Sequence, residues 1–400
     1  MTVSPAAEPA ANRRAVMAVL LVVFLDMTAF GLLLPSLTFL NEQLGGTPSD
    51  LGWIIAAFSL GQLIGSPLLG QISDRVGRKP VLAASILVGV VGNVMYAMAP
   101  TPMLLVLSRA IAGAAAGNLS VARAYIAEVT VPERRTAAMG LAGAAFGLGF
   151  MVGPGIGALV ADLGLRAPGW ISAGLNGVNL IYLWIVVREP TRIADASSGR
   201  FGALNRRRLA ILIIGMYFTA IAGFAGFETV AGLVTKQFFH WTNRENGLLF
   251  GGGGLVAVLV QGGLIRPLSR RIEDRYLLLA GYLLMLAGFA TLATQQMLLP
   301  RFLAGALCLG VGMSLSQPSL FAMFSRISSM EGQGAAMGWL NAGGSLARIA
   351  GPLWAGYAFG IGNARLAFWG MALAVSAALV LYAVAAPQAG ARTAQPDDSQ

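Results

Sequence analysis

This sequence has almost no cysteine, almost no histidine and little charge. The single cysteine, Cys308, excludes an internal disulfide and a cysteine-based metal cluster. The single histidine, His240, leaves no histidine metal site and no hydrolase constellation that needs a histidine base. Charged residues make up 11% of the 400 positions, too few for the polar shell of a soluble protein of this size. We therefore expect no enzyme activity, no cofactor and no metal.

Long apolar runs take the place of the missing charge. The chain is 56% hydrophobic, and its mean hydropathy is +0.71. A bilayer-spanning helix needs roughly 20 such residues, and lipid offers the backbone no hydrogen-bond partner outside a helix. We predict an all-α membrane protein with 12 transmembrane helices, at approximately 15–40, 50–72, 80–99, 102–127, 136–163, 168–187, 209–235, 246–268, 276–294, 299–325, 332–360 and 365–386.

The distribution of lysine and arginine predicts the orientation. The net charge of +10 is typical of basic cytoplasmic loops, so no nucleic-acid partner is expected. With the N-terminus in the cytoplasm, most of the 27 basic residues fall on the cytoplasmic side. Those that fall outside are Arg166, Lys236, Arg244, Arg301 and Arg365. We predict a multi-pass protein of a cell membrane, with a bacterial inner membrane favoured and both termini cytoplasmic.

The longest polar connection divides the chain. Residues 188–208, "REPTRIADASSGRFGALNRRR", are predicted to form a cytoplasmic linker between bundles at 15–187 and 209–386. Residues 1–14 and 387–400 are predicted cytoplasmic tails, with disorder expected in the first dozen residues and after Pro387.

An internal repeat supports two related halves. "TAAMGLAGAAFGLGFMVGPGIGA" begins at Thr136 and "GAAMGWLNAGGSLARIAGPLWAG" begins at Gly334. At one constant spacing, Ala-Ala-Met-Gly matches itself and Gly153-Pro154 matches Gly351-Pro352. Two pseudo-symmetric six-helix bundles are expected to pack about an axis along the membrane normal.

Four motifs, in order along the chain, resemble the major facilitator superfamily. They are "FLDMTAFGLLLPSL" at 24–37, "GQISDRVGRK" at 70–79, "LLVLSRAIAGAAAG" at 104–117 and "GLGFMVGPGIGAL" at 147–159. The sequence looks like the twelve-helix drug/proton antiporters, of which the tetracycline exporters are the familiar members. Tetracycline exporters carry an acid in their ninth helix, whereas "YLLLAGYLLMLAGFATLAT" has none.

The resemblance implies a conformational latch in the loop between the second and third spans. Carboxylate–guanidinium pairs there, completed by an acid at the end of the fourth span, would lock the outward-open state. The alternative is that these charges only set the topology. The expected latch residues are Gly70, Asp74, Arg75, Gly77, Arg78 and Glu128.

Ionisable residues inside the spans are costly and indicate function. Asp26 is the leading candidate to carry a proton, with Arg109 shifting its charge state; the alternative is a permanent Asp26–Arg109 ion pair. Glu228 is a second candidate for a proton or a cationic substrate. Arg348 would bind a substrate anion or a structural acid.

Glycine is abundant, with 52 residues. The resemblance assigns one group to an antiporter motif in the fifth span, where helix packing and sealing against leak are expected: Gly147, Gly149, Gly153, Pro154 and Gly157. Gly251–Gly254 lacks the G-x-x-x-x-G-K-[ST] phosphate loop. Gradients rather than ATP would therefore drive transport.

These observations predict a secondary active transporter, a proton-coupled antiporter that exports amphipathic drugs or metabolites by alternating access. One alternative is a proton-linked importer of a small metabolite. Another is a non-transporting membrane receptor or scaffold. The expected partners are a small-molecule substrate, protons and the lipid bilayer, and the chain is expected to be a monomer.

Overall fold

The computed structural model describes residues 8–190, 207–294, 296–327 and 333–390. Over these residues the chain is helical and contains no β-strand. Eleven helical segments of the described chain are long and apolar enough to cross a membrane. The helix Gln333–Ile361 is another long helix of 29 residues, and it coincides with the predicted eleventh span. The chain therefore has the twelve-helix architecture predicted from its apolar runs.

The first six predicted spans correspond to seven α-helices. They are α1 (Glu8–Gln43), α2 (Pro48–Val76), α3 (Arg78–Met98), α4 (Pro102–Ala116), α5 (Asn118–Val129), α6 (Pro132–Leu159) and α7 (Ala167–Val186). The fourth span is thus broken at Gly117, between α4 and α5. A Cβ at this glycine would lie 2.5 Å from the backbone nitrogen of Ser66, so the break lies directly against α2.

The last six spans contain a second interruption. They correspond to α8 (Arg207–Phe239), α9 (Asn243–Val258), α10 (Ile265–Ser269), α11 (Asp274–Leu292), α12 (Leu299–Ile327), α13 (Gln333–Ile361) and α14 (Ala364–Gly390). A π-helical turn, Leu259–Leu264, joins α9 to α10. The predicted eighth span is therefore irregular near its end. π-Helical turns within α-helices occur frequently at functional sites.

The first helix begins earlier than predicted. Disorder was expected over the first dozen residues, but α1 starts at Glu8. Pro9 suits the first turn of a helix, and Ala10 and Ala11 have the highest helix propensity. Most of the predicted linker, residues 191–206, and the predicted tail residues 391–400 lie outside the described residues.

The chain forms two compact units. Residues 1–195 and 231–255 belong to the first, and residues 196–230 and 256–400 belong to the second. The end of α8 and most of α9 therefore group with the first unit rather than with the helices that follow them. The bundle boundaries at 187 and 209 stay predictions.

In the first unit, α1 packs along α6 and α7, whereas α4 packs along α2 and α3. A buried apolar cluster from α1, α3, α5, α6 and α7 lies toward the end where α2 and α3 join; it includes Val19, Leu82, Val121 and Leu183. We call this end of the unit the latch face and the opposite end the far face. In the second unit, α11 packs along α12 and α14.

Candidate functional site

A small pocket in the first unit brings together the ionisable residues of the first and fourth spans. Asp26 comes from α1 and Arg109 from α4, and both line it. Polar amides from other helices, Asn93 and Asn176, line it as well. Asp26 and Arg109, which were predicted to act together, thus line the same pocket. The sequence alone did not determine whether the two residues lie near each other.

Asp26 has an amide as its partner. Its Oδ2 accepts a hydrogen bond of 3.3 Å from Nδ2 of Asn118, the first residue of α5. Asn118 is buried and follows the break at Gly117 directly. The break in the fourth span therefore places a hydrogen-bond donor beside the carboxylate of the first span.

Arg109 is 2% exposed and is held by neutral groups. Its Nη2 donates to Asn93 Oδ1 at 3.1 Å and to the Gly92 carbonyl at 3.4 Å. The guanidinium also lies 5.0 Å from the centre of the Tyr96 ring, a cation–π arrangement. No ion pair within 4.0 Å joins Asp26 and Arg109, although the structure describes both residues. A permanent ion pair between them is therefore not found, because each side chain has its own amide partner.

The remaining wall of the pocket is aromatic and partly polar. The rings of Phe30 and Phe58 lie 4.2 Å apart, centre to centre. Asn176, which lines the same pocket, is 3% exposed, and its Oδ1 is buried without a hydrogen-bond partner. A flat apolar surface beside unsatisfied polar groups is suited to an amphipathic molecule or to an ordered water.

The second unit has its own pair of opposite charges. Glu228 of α8 and Arg348 of α13 lie close enough for their charges to attract each other. Both residues are half-buried. No ion pair within 4.0 Å joins these two described residues, so the role of Arg348 stays a prediction, and the position that matches Arg348 in the first half holds Phe150.

The predicted latch residues on α2, α3 and α5 meet at Arg78. Its Nη2 and Nε contact Glu128 Oε1 at 2.7 and 3.0 Å, and its Nη1 lies 2.7 Å from Asp74 Oδ1. The side chains of Arg78 and Glu128 are only 11% and 15% exposed. Three helices thus contribute to one cluster, in which two carboxylates bind a single guanidinium in a directional way. Charges that only set the membrane topology would not need this arrangement.

The connection that carries this cluster is shorter than expected. Only Gly77 lies between α2 and α3, so Asp74 stands on the last turn of α2. Gly77 has φ +115°, which favours glycine. Gly70 lies inside α2, where a Cβ would approach nothing closer than Ser120 Oγ at 3.9 Å, so it is not needed for a tight turn. Arg75 is exposed on the same turn as Asp74.

Three glycines of the predicted antiporter motif face α1 one turn apart, so that a Cβ on any of them would meet the α1 backbone: Gly149, Gly153 and Gly157. At Gly153 the Cβ would lie 2.6 Å from the Thr28 carbonyl oxygen. Gly147 faces open space, with nothing within 4 Å of a Cβ. Three of the four glycines assigned to the motif therefore allow α6 to pack closely on α1, and Gly147 does not take part.

The second half repeats this contact. A Cβ at Gly351, the match of Gly153, would collide with the Ala222 carbonyl oxygen, so that α13 approaches α8 as α6 approaches α1. Two glycines of α9 make similar contacts with α6 in the first unit. A Cβ at Gly247 would lie 2.6 Å from Ala158 Cβ, and one at Gly254 would lie 2.6 Å from Met151 Cα.

Several residues at these sites were missed by sequence reasoning. Asn93, Asn118 and Asn176 contact or line the pocket, and Glu189 contacts the start of α3. The available signal was polarity: a buried amide inside an apolar span is costly unless it binds something. Glu189 gave no such signal, because it stands in a polar connection.

Comparison with known proteins places the chain in a family. The model of the Major Facilitator Superfamily matches residues 19–298 and 236–399. The class C tetracycline resistance protein of Escherichia coli is 31% identical over 95% of this chain and 98% of its own length. Multidrug resistance protein 1 of Bacillus subtilis is 28% identical over 90% of this chain and 93% of its own length.

A solved structure supports the fold. The nucleoside transporter NupG has a TM-score of 0.76 and covers 93% of this chain and 99% of its own, at 13% identity. This likeness concerns the architecture only. Together with the sequence matches, it shows that the chain belongs to the Major Facilitator Superfamily of secondary transporters, in the group that includes the tetracycline resistance proteins.

Proposed function

We propose that this protein is a proton-coupled antiporter that exports amphipathic drugs or metabolites by alternating access. The observation that carries the proposal is the pocket of the first unit, which is lined by both Asp26 and Arg109 although no ion pair within 4.0 Å joins them. Names of the relatives, tetracycline resistance and multidrug resistance, favour export of toxic compounds.

The chemistry of the pocket suits coupling. A carboxylate in an apolar span is costly when charged, so it binds and releases a proton as its surroundings change. Asn118 donates to Asp26 from the break between α4 and α5, and Arg109 of α4 lines the same pocket. A movement of α4 relative to α1 would change both neighbours at once.

The second pair, Glu228 and Arg348, is proposed to contribute to the substrate or proton route of the second unit. Because both residues lie in the second unit and carry opposite charges, we expect them to act together. The latch around Arg78 is proposed to hold one state of the transport cycle. We place both termini and the latch face in the cytoplasm, with the protein working as a monomer in the inner membrane of a bacterium.

One experiment tests both direction and coupling. A host without its own efflux pumps would express the unaltered protein or the Asp26→Asn variant, and survival would be measured against many toxic compounds. Protection that requires Asp26 supports proton-driven export. Sensitisation by the unaltered protein would instead support the importer, and no effect of any compound would support a receptor or scaffold.

A topology experiment tests the orientation. Reporter enzymes fused after Lys79 and after Arg207 should report the same, cytoplasmic, side. Opposite sides for the two fusions would contradict the twelve-span arrangement.

A further inference from the structure

Two helices cap each other beside the latch. The carboxylate of Glu189, three residues beyond α7, accepts hydrogen bonds from the backbone N–H groups of Arg78 (2.5 Å) and Lys79 (2.8 Å), the first two residues of α3. In return, Nζ of Lys79 donates to the Trp184 carbonyl oxygen at 2.9 Å, in the last turn of α7. The same ammonium lies 5.2 Å from the centre of the Trp184 ring.

Both contacts have favourable signs. The first N–H groups of a helix lack partners within the helix, and its N-terminus attracts negative charge. The last carbonyl groups of a helix attract positive charge for the same reason. Glu189 therefore supplies negative charge to the N-terminus of α3, and Lys79 supplies positive charge to the C-terminus of α7. These two charge-assisted contacts join α3 and α7 at the latch face.

Gly77 makes room for this carboxylate. A Cβ at position 77 would lie 2.8 Å from Glu189 Oε1 and 3.1 Å from its carboxyl carbon. The glycine between α2 and α3 is therefore needed for two reasons, its positive φ and the approach of Glu189.

Neighbouring contacts fix the chain that carries Glu189. Val187 is 1% exposed, and the Arg188 carbonyl oxygen accepts a 2.7 Å hydrogen bond from the Tyr125 hydroxyl of α5. Because α5 also supplies Glu128, one helix holds both the latch acid and the segment that leads to Glu189. The cap is therefore a built part of the latch face.

We propose that Glu189 is a positioning residue for transport, which holds the backbone of Arg78 so that its guanidinium meets Glu128 and Asp74. This rests on the proposed function of the latch in the transport cycle. Glu189 would act through Arg78 and would not contact the substrate. Its loss should therefore change the rate of the conformational step and leave substrate affinity unchanged.

The second unit supplies a matched control. Glu273 precedes α11 as Gly77 precedes α3, but its side chain makes no capping hydrogen bond to α11. Its carboxylate instead lies 2.8 Å from Nε of Arg275, in an exposed pair. The Glu273→Gln variant removes one acid from a corresponding connection without removing a helix cap.

The test compares Glu189→Gln, Glu189→Asp and Glu273→Gln in the full-length protein reconstituted in lipid. Hydrogen–deuterium exchange is measured for peptides that contain Arg78 and Lys79, and initial rates of proton-driven ethidium transport are measured at several dye concentrations. In Glu189→Gln we expect about tenfold faster exchange at these amides and a kcat about three- to tenfold lower, with KM unchanged. Glu189→Asp should recover part of both effects, and Glu273→Gln should change neither.

Three results would overturn the proposal: unchanged exchange in Glu189→Gln, an unchanged kcat per folded molecule, or an equal loss in Glu273→Gln. If Glu189→Gln does not fold, Lys79→Met removes the other half of the cap and must lower kcat in the same way. If the unaltered protein moves no ethidium, the proposed function fails for this dye, while the exchange measurement still decides whether Glu189 holds α3.

Discussion

Asp26 and Arg109 line one pocket but bind different partners: Asp26 accepts from Asn118, whereas Arg109 donates to Asn93. A permanent ion pair between them would remove the reason for a proton to enter, because the arginine would keep the acid charged. With amides as partners, each charge is stabilised and neither is fully neutralised. This arrangement fits the proposal that Asp26 binds and releases a proton during transport.

The Asp26→Asn variant should lose coupling. Asparagine has the same shape but cannot carry a proton, so accumulation of a substrate against its gradient, driven by an imposed pH gradient in proteoliposomes, should fall roughly tenfold or more. Exchange of substrate without a pH gradient should continue. The control is Asp162→Asn, whose side chain is 80% exposed; normal proton-driven accumulation by Asp26→Asn would remove Asp26 from the role.

Replacing Arg109 by lysine should impair transport although the charge is kept. A lysine has no planar fork with which to bind Asn93 while stacking over Tyr96. We expect an initial transport rate roughly tenfold lower. The matched variant is Arg244→Lys, at a side chain 61% exposed and 3.9 Å from its partner acid. Equal rates for both variants would show that charge alone matters at position 109.

Arg78 and Glu128 should be energetically coupled. Removal of either partner leaves a poorly solvated charge, so Arg78→Gln and Glu128→Gln should each lower the free energy of unfolding. A double-mutant cycle, measured by thermal unfolding in detergent, should give a coupling energy of about 1–3 kcal/mol. Because both side chains are largely buried, this coupling should persist at high salt. A coupling energy of zero would indicate that these charges only set the topology of the protein.

The antiporter motif should tolerate alanine unequally. At Gly153 the new methyl group would meet the α1 backbone 2.6 Å away, so Gly153→Ala should destabilise the protein by about 1–3 kcal/mol. At Gly155, two positions along α6, a Cβ meets nothing within 4 Å, and Gly155→Ala should cost little. Apparent melting temperatures in detergent compare the two. Similar melting temperatures would mean that α6 lies farther from α1 than the structure places it.

A disulfide at the far face should stop transport reversibly. In the first unit, a Cβ at Gly232 would lie 3.1 Å from Thr38 Cβ, and Lys236 of the same helix pairs with Glu42 of α1. Cysteines at positions 38 and 232 are therefore close enough to bond after a small shift, since disulfides join Cβ atoms roughly 3.5–4.5 Å apart. The replacements are made in a Cys308→Ser background, which removes the single native thiol.

Transport by the Thr38→Cys/Gly232→Cys protein should fall under oxidation and return with a reductant, because α1 and the end of α8 must separate there when the far face opens. Each single cysteine variant serves as its control. Full transport by the cross-linked protein would mean that this contact stays closed throughout the cycle.

The twelve spans could be predicted from sequence because apolar length is a local property. The break at Gly117 could not, since Gly113 and Gly117 look alike in sequence and α2 approaches both of them closely, yet only Gly117 interrupts the helix. The helix start at Glu8 was missed because disorder was expected over the first dozen residues, although Ala10 and Ala11 favour a helix. The motif named Asp74, Arg78 and Glu128, whose side chains meet in the structure, while their role as a latch stays a prediction. Gly70, which the motif also contains, lies inside α2 and away from this cluster.

The sequence by itself determined the membrane-spanning architecture, the family and the positions of the few charges inside the spans, because lipid forces long apolar runs into helices and makes every exception conspicuous. Only the tertiary structure decided which polar groups meet. Asp26 and Asn118 are 92 residues apart in the chain, and Arg78 and Glu189 are 111 apart. Such pairs depend on where helices cross and end, and no local pattern of residues encodes those crossings.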